Sequence, residues 1–223
     1  MKMKKTTSIL AIAGVVLALA LAAQAAPMVG PTDGYTGPYR IIFSTVDKYD
    51  AVSADIATYN ARIEAVAAAT AGLTYDVSDI TGWKMIGSTA SVNARVNTGT
   101  TATDGLVASG DVPIYNIVGG RVADGNAALW NAASVDLLVH IYHVNGNSPG
   151  YANRTWTGTL PDGTTHATAP LGAATVGQAD NRVLDEGWVA WGGHGNPNPN
   201  TSTYLHYGLS PVLRIPGTMI YTK

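Results

Sequence analysis

No cysteine occurs anywhere in this 223-residue chain, so its fold has to stand on packing and hydrogen bonds without a covalent staple. The same absence excludes thiol redox chemistry, thiolate metal ligation and a cysteine nucleophile. The point carries weight because the first residues have the layout of an export leader. Lys2, Lys4 and Lys5 precede an apolar run from Ile9 to Ala22, followed by the small-residue exit Ala23-Gln24-Ala25. That apolar run is shorter than the roughly 20 residues a membrane-spanning helix needs. A cleaved signal peptide over residues 1–25 is therefore expected, with no transmembrane anchor in the mature chain and a secreted, extracellular or periplasmic location.

The whole chain carries 13 basic and 15 acidic residues, a formal charge of −2. Three of the basic residues lie in the leader, so the remainder is more acidic, and its lysines and arginines are scattered singly. Phosphate binding draws on clustered cations, so no nucleic-acid partner is expected. About 200 residues suffice for one domain with a sizeable core. Only 13% of residues are charged, against roughly 25% in ordinary globular chains; Gly, Thr, Ala and Asn take their place, as in many extracellular bacterial proteins.

Residues 26–38 contain three prolines and three glycines and predict a flexible N-terminal arm. Tyr39-Arg40-Ile41-Ile42-Phe43-Ser44-Thr45 predicts a buried strand. A helix follows, with Ser53 as N-cap, Ile56, Tyr59, Ile63, Val66 and Ala67 at three- and four-residue spacing, and Gly72 as the stop. Short strands are expected at 82–86 and 112–118, with a tight Gly119-Gly120 turn into 121–123. A helical turn fits 126–130, and 135–144 reads as either a strand or a packed loop. Further strands are expected at 155–158, 187–191, 204–207 and 212–215, separated by loops rich in Gly, Thr, Asn and Pro. The order of one strand, one helix and many short strands implies an α+β domain.

Several strings recur in a fixed order: the first strand; an Ala-rich helix ending Ala71-Gly72-Leu73; Trp83-Lys84-Met85-Ile86-Gly87-Ser88; Ser91-Val92-Asn93-Ala94-Arg95; Val112-Pro113-Ile114-Tyr115-Asn116; Arg121-Val122-Ala123-Asp124; Leu129-Trp130; and Thr155-Trp156-Thr157-Gly158 with Asp162-Gly163-Thr164. In this order the chain resembles secreted bacterial domains that look like the endostatin domain of collagens and the C-type lectin-like fold. The resemblance covers residues 39–216 and implies a single domain there: a twisted antiparallel sheet, one main helix and long loops. Residues 217–223 are left as a C-terminal tail. Many such domains carry cysteine pairs, and some end in a Pro-Glu-Pro sorting tail; neither is present here, which implies release or a protein-mediated attachment.

Calcium-dependent sugar binding on that fold uses carboxylate and amide oxygens around a hard cation. The nearest string, Asn196-Pro197-Asn198-Pro199-Asn200, lacks an acid unless Asp185 or Glu186 folds back, so a plain Asn-Pro turn is the expectation. His140 and His143 would share a face, as metal ligands can, on a helix, but would point to opposite faces on a strand; with no carboxylate within three residues of the pair, no metal and no cofactor are expected. Gly-x-Ser-x-Gly is absent, and the adjacent acids Asp185 and Glu186 diverge on a strand, so no catalytic residue is assigned. Of five tryptophans, Trp83, Trp130, Trp156 and Trp188 are expected in the core. Trp191 is expected at a loop mouth as a stacking platform. Trp191, His194, Asn196, Asn198 and Tyr204 thus form the candidate ligand-binding set. Arg154 enters only within the triplet Asn153-Arg154-Thr155, a glycan acceptor in a eukaryote and a coincidence here. The resulting expectation is a secreted, non-catalytic binding, matrix or adhesion domain whose partner is a glycan or an extracellular matrix or surface component. The alternatives are a secreted hydrolase with a loop-assembled site and a calcium-dependent lectin.

Overall fold

Tyr39, Ile41 and Phe43 alternate with Ile42, and all are buried, so the first strand has to be covered on both faces. A computed structural model of the chain, which describes residues 30–131, 137–150, 154–193 and 196–214, places this strand, β1 (Arg40–Ser44), at the centre of a five-stranded sheet. The other members are β2 (Lys84–Met85), β3 (Ile114–Asn116), β4 (Arg121–Ala123) and β9 (Tyr207–Leu209), in the order β2-β9-β1-β3-β4. Tyr39, Ile41 and Phe43 enter one core with Trp83 and Trp156. Ile42 enters a second core with Trp130, Trp188 and Tyr207. The molecule is α+β, with a sheet between two apolar layers.

The sheet is mixed where an antiparallel one was expected. β1 and β9 are antiparallel, whereas β1 and β3 are parallel, with Arg40 opposite Ile114 and Ile42 opposite Asn116. A parallel neighbour requires a long crossover, and the stretch between these strands supplies it with α1 (Ile56–Ala68) and β2. The helix buries Tyr59, Ile63 and Ala67 as the spacing predicts, but its cap is Asp55 and not Ser53. The Asp55 carboxylate accepts from Ala57 N at 2.9 Å, while Ser53 Oγ accepts from Asp55 N one step earlier. α1 ends before Gly72, at the cap residue Ala69.

Other departures come from pairing that no local pattern announces. Residues 187–191, expected as a strand, form a 3-10 turn (Glu186–Trp188) started by Asp185, whose carboxylate accepts from Gly187 N, followed by a second turn (Trp191–Gly193). Of the strand expected at 212–215, the described residues 212–214 contribute one bridge, Leu213 to Tyr39. Conversely, strands form where the loops were expected: β6 (Thr175–Val176) pairs with β8 (Asn198–Pro199), and β7 (Gln178–Asp180) pairs with β5 (Arg154–Trp156). The short helices α2 (Ala94–Asn97) and α3 (Asn126–Leu129) complete the fold. Within the stretch read as a flexible arm, Thr32 bonds to Gly119 O through both N and Oγ1, and Tyr35 stacks on Tyr115.

The Thr157-Gly158 corner exposes how tightly these segments meet. Gly158 has φ +58, and a Cβ there would lie 2.6 Å from Leu171 N and 2.9 Å from Ser88 O, both backbone atoms. Gly158→Ala is expected to lose about 2–3 kcal/mol, combining left-handed strain with a forced approach. Gly105 also has positive φ, +70, but faces open space, so Gly105→Ala should lose only about 1 kcal/mol. Urea unfolding of the two variants separates the terms; equal midpoints would show that the corner yields.

Candidate ligand-binding site

The two-stranded sheet of β5 and β7 sets Arg154 opposite Asp180, Thr155 opposite Ala179 and Trp156 opposite Gln178. Strand alternation therefore puts Arg154, Trp156, Gln178 and Asp180 on one face. Trp156 is fully buried there; its indole N–H donates to Tyr49 O at 3.1 Å and its ring lies 4.5 Å from that of Tyr204. Tyr204 is fixed in turn by two backbone bonds with Tyr49, at 2.8 and 3.0 Å. Two residues nearer the rim, the Arg154 guanidinium lies 4.8 Å over the Trp191 ring and 5.9 Å from the Tyr204 ring. A half-buried cation–π contact of this kind is worth about 0.5–2 kcal/mol. Arg154 Nη1 also donates to Gln178 Oε1 at 3.5 Å and Tyr204 OH at 3.4 Å.

Three other arginines are ion-paired. Arg62 pairs with Asp50 at 3.0 Å, Arg121 with Asp33 at 2.7 Å, and Arg182 with Asp180. Arg182 Nε donates to Asp180 Oδ1 at 2.7 Å and Nη2 to Oδ2, which holds that carboxyl below its ordinary range against the opposing effect of burial. Asp180 is thus already engaged, and among the described residues Arg154 has no carboxylate in ion-pair contact. Behind the platform, His206 is fully buried, stacked on Tyr49 at 5.2 Å and edge-on to Tyr59 at 5.6 Å. Burial, reinforced by the Arg62 charge, pushes its pKa down to about 3 and keeps the ring neutral.

Trp191 and Tyr204, two of the candidate residues, are brought together through Arg154. Trp191 is half-buried, whereas Trp83, Trp130, Trp156 and Trp188 are buried. Asn196 is exposed with φ +30, and Asn198 Nδ2 donates to Asn196 O at 3.2 Å, so the two make a turn leading into β8. No hydrogen bond joins either to Arg154, Trp191 or Tyr204 among the described residues. His194 lies outside the described residues. Arg154 and Gln178 were not in the sequence-derived set. The strand was expected at 155–158, one residue short of Arg154; extending it by that residue puts Arg154 two before Trp156 and on the same face.

The histidine pair reads differently. His143 Nδ1 lies 2.9 Å from Ser44 Oγ and 3.1 Å from Thr45 O. A carbonyl only accepts, so Nδ1 carries the proton and cannot take one from Ser44. Ser44 is also fully buried, and burial lowers the His143 pKa. This serine–histidine contact is not a nucleophile with its base. His140 is tied into the fold through its carbonyl, which accepts from Asn116 Nδ2 at 3.0 Å. Among the described residues no three His, Asp or Glu side chains converge as metal ligands would.

Two surface grooves lie away from this platform. One, of about 190 Å³, is lined by Val46, Val66, Ala69, Leu73 and Val144. The other, of about 380 Å³, runs past Tyr35, Val107, Pro113 and Asp111. The Asp111 carboxylate is occupied by Gly105 N at 2.8 Å and Asn126 N at 2.7 Å, so it has a structural role there. The Arg154 surface combines aromatic faces with a cation that makes no ion pair among the described residues. No family model matches the chain, and no curated protein matches it. Among the described residues no helix is long and apolar enough to cross a membrane.

Proposed function

We propose that this chain is an exported, non-catalytic binding domain that presents Arg154, Trp191 and Tyr204 to a glycan or an extracellular surface component. The observation that carries this reading is the Arg154 guanidinium held 4.8 Å over a half-exposed indole without a carboxylate partner among the described residues. Stacking faces beside a fixed hydrogen-bond donor fork suit a ring bearing polar groups. The basic, apolar and small-residue sequence of residues 1–25 supports export. The finer fold reading, C-type lectin-like or endostatin-like, is supported by the pairing of the first and last strands, β1 and β9, next to a single long helix.

The test is a glycan and matrix-polymer array probed with the mature protein, in calcium and in chelator. Retention of at least one polymer in both conditions, lost in Trp191→Ala, is the expected outcome. Retention that survives Trp191→Ala would remove the platform from the account. Millimolar calcium is expected to leave the melting temperature unchanged. A calcium-dependent rise abolished by Asn198→Ala or Glu186→Ala would favour the lectin-type reading, because a ligand specific for the native state at 100-fold excess over Kd adds about 2.7 kcal/mol.

A further inference from the structure

We propose that the ligand of this platform contains a sugar with a single carboxylate, a uronic acid unit, whose acid group meets Arg154 while its ring packs on Tyr204 and Trp191. This rests on the binding function proposed above and assigns its ligand class. Arg154 spends Nη1 on Gln178 Oε1 and Tyr204 OH. Its Nε and Nη2 edge has no hydrogen bond among the described residues, and that edge matches the two oxygens of a carboxylate. Gln178 is itself fully buried, and its Oε1, accepting from Nη1, fixes the guanidinium from behind so that the Nε and Nη2 edge is held in place. Both aromatic rings already face the guanidinium, at 4.8 and 5.9 Å, so an acid bound there is flanked by apolar surface.

Charge decides how acidic the ligand is. The chain is net negative, at −2, and Asp180 lies close enough to Arg154 for its own carboxyl to feel that charge. One cation in an acidic setting suits one carboxylate and disfavours a densely sulfated polymer. A carboxylate without a ring would use the arginine and leave both aromatic faces idle.

Calorimetric titration of the mature protein with methyl β-glucuronide, methyl β-glucoside, acetate and heparin tests this. The glucuronide is expected to bind at least about tenfold more tightly than the glucoside or acetate, as charge-assisted hydrogen bonds require. Arg154→Gln should abolish the preference, and Arg154→Lys should retain part of it, because a lysine keeps the charge without the fork. If Arg154→Gln unfolds, the Arg154→Lys titration is decisive, and an undiminished preference there overturns the proposal. Equal binding of glucuronide and glucoside would overturn it while leaving the binding function intact. Acetate binding as tightly as glucuronide, heparin binding without glucuronide binding, or no response to any glucuronide would each overturn it too. A protein that retains no polymer on the array and no sugar in the calorimeter fails both readings.

Discussion

Trp156→Ala is expected to cost about 3–5 kcal/mol of folding stability. Trp156 is fully buried, packs 4.5 Å from Tyr204 and donates its indole N–H to Tyr49 O. Truncation opens a large cavity, removes one of the two hydrogen bonds to the Tyr49 carbonyl and takes away the floor beneath the Arg154 face. Domains of this kind are stable by only about 5–15 kcal/mol, and no disulfide shares the burden. Urea unfolding should show a clearly lower midpoint, whereas Trp191→Ala, at the half-exposed rim, should shift stability by less than about 1 kcal/mol. A Trp156→Ala midpoint equal to wild type would show that the core does not depend on this layer.

Acid is expected to destabilise the protein well above the carboxylate range. His206 has its pKa pushed down to about 3 by burial and by Arg62, below the ordinary value of 6.5. Above pH 6.5 the ring is neutral in both states and contributes nothing to the pH dependence. Below it the unfolded chain takes up a proton that the native state refuses, so stability falls by about 1.4 kcal/mol per pH unit as far as the folded pKa. The loss reaches about 2 kcal/mol at pH 5 and about 3 kcal/mol at pH 4. His143, also lowered by burial, adds in the same direction. Unfolding measured between pH 6.5 and 5 lies above most carboxylate titration, and His206→Gln should remove most of the slope there. An unchanged slope in that variant would place the acid sensitivity elsewhere.

The elements best read from sequence are those whose own residues decide them. β1 is legible because Ile41, Ile42 and Phe43 form a continuous apolar run, and α1 because its apolar positions recur on one face. The hairpin of β3 and β4 is legible from its Gly119-Gly120 turn. By contrast, β6, β7 and β8 are two or three residues long and gain their pairing from partners at least 20 positions away, which no local window contains. The 187–191 segment misleads because Trp188 and Val189 are as apolar as strand residues, while the Asp185 carboxylate bonding to Gly187 N starts a turn instead. The site follows the same rule. An aromatic beside a glycine run marks Trp191, but its neighbour Arg154 arrives from β5, far away in the chain, and only the fold brings the two together.

Contact between Trp191 and ligand is read directly by protection of tryptophan fluorescence from acrylamide quenching. Among the described residues Trp191 is the one half-exposed tryptophan, with the other four buried, so it dominates quenching by solvent. In the presence of the polymer retained on the array, quenching of the wild-type protein should fall saturably, and Trp191→Phe should show no such protection. Equal protection in Trp191→Phe, or full quenching of wild type at saturating polymer, would contradict the account.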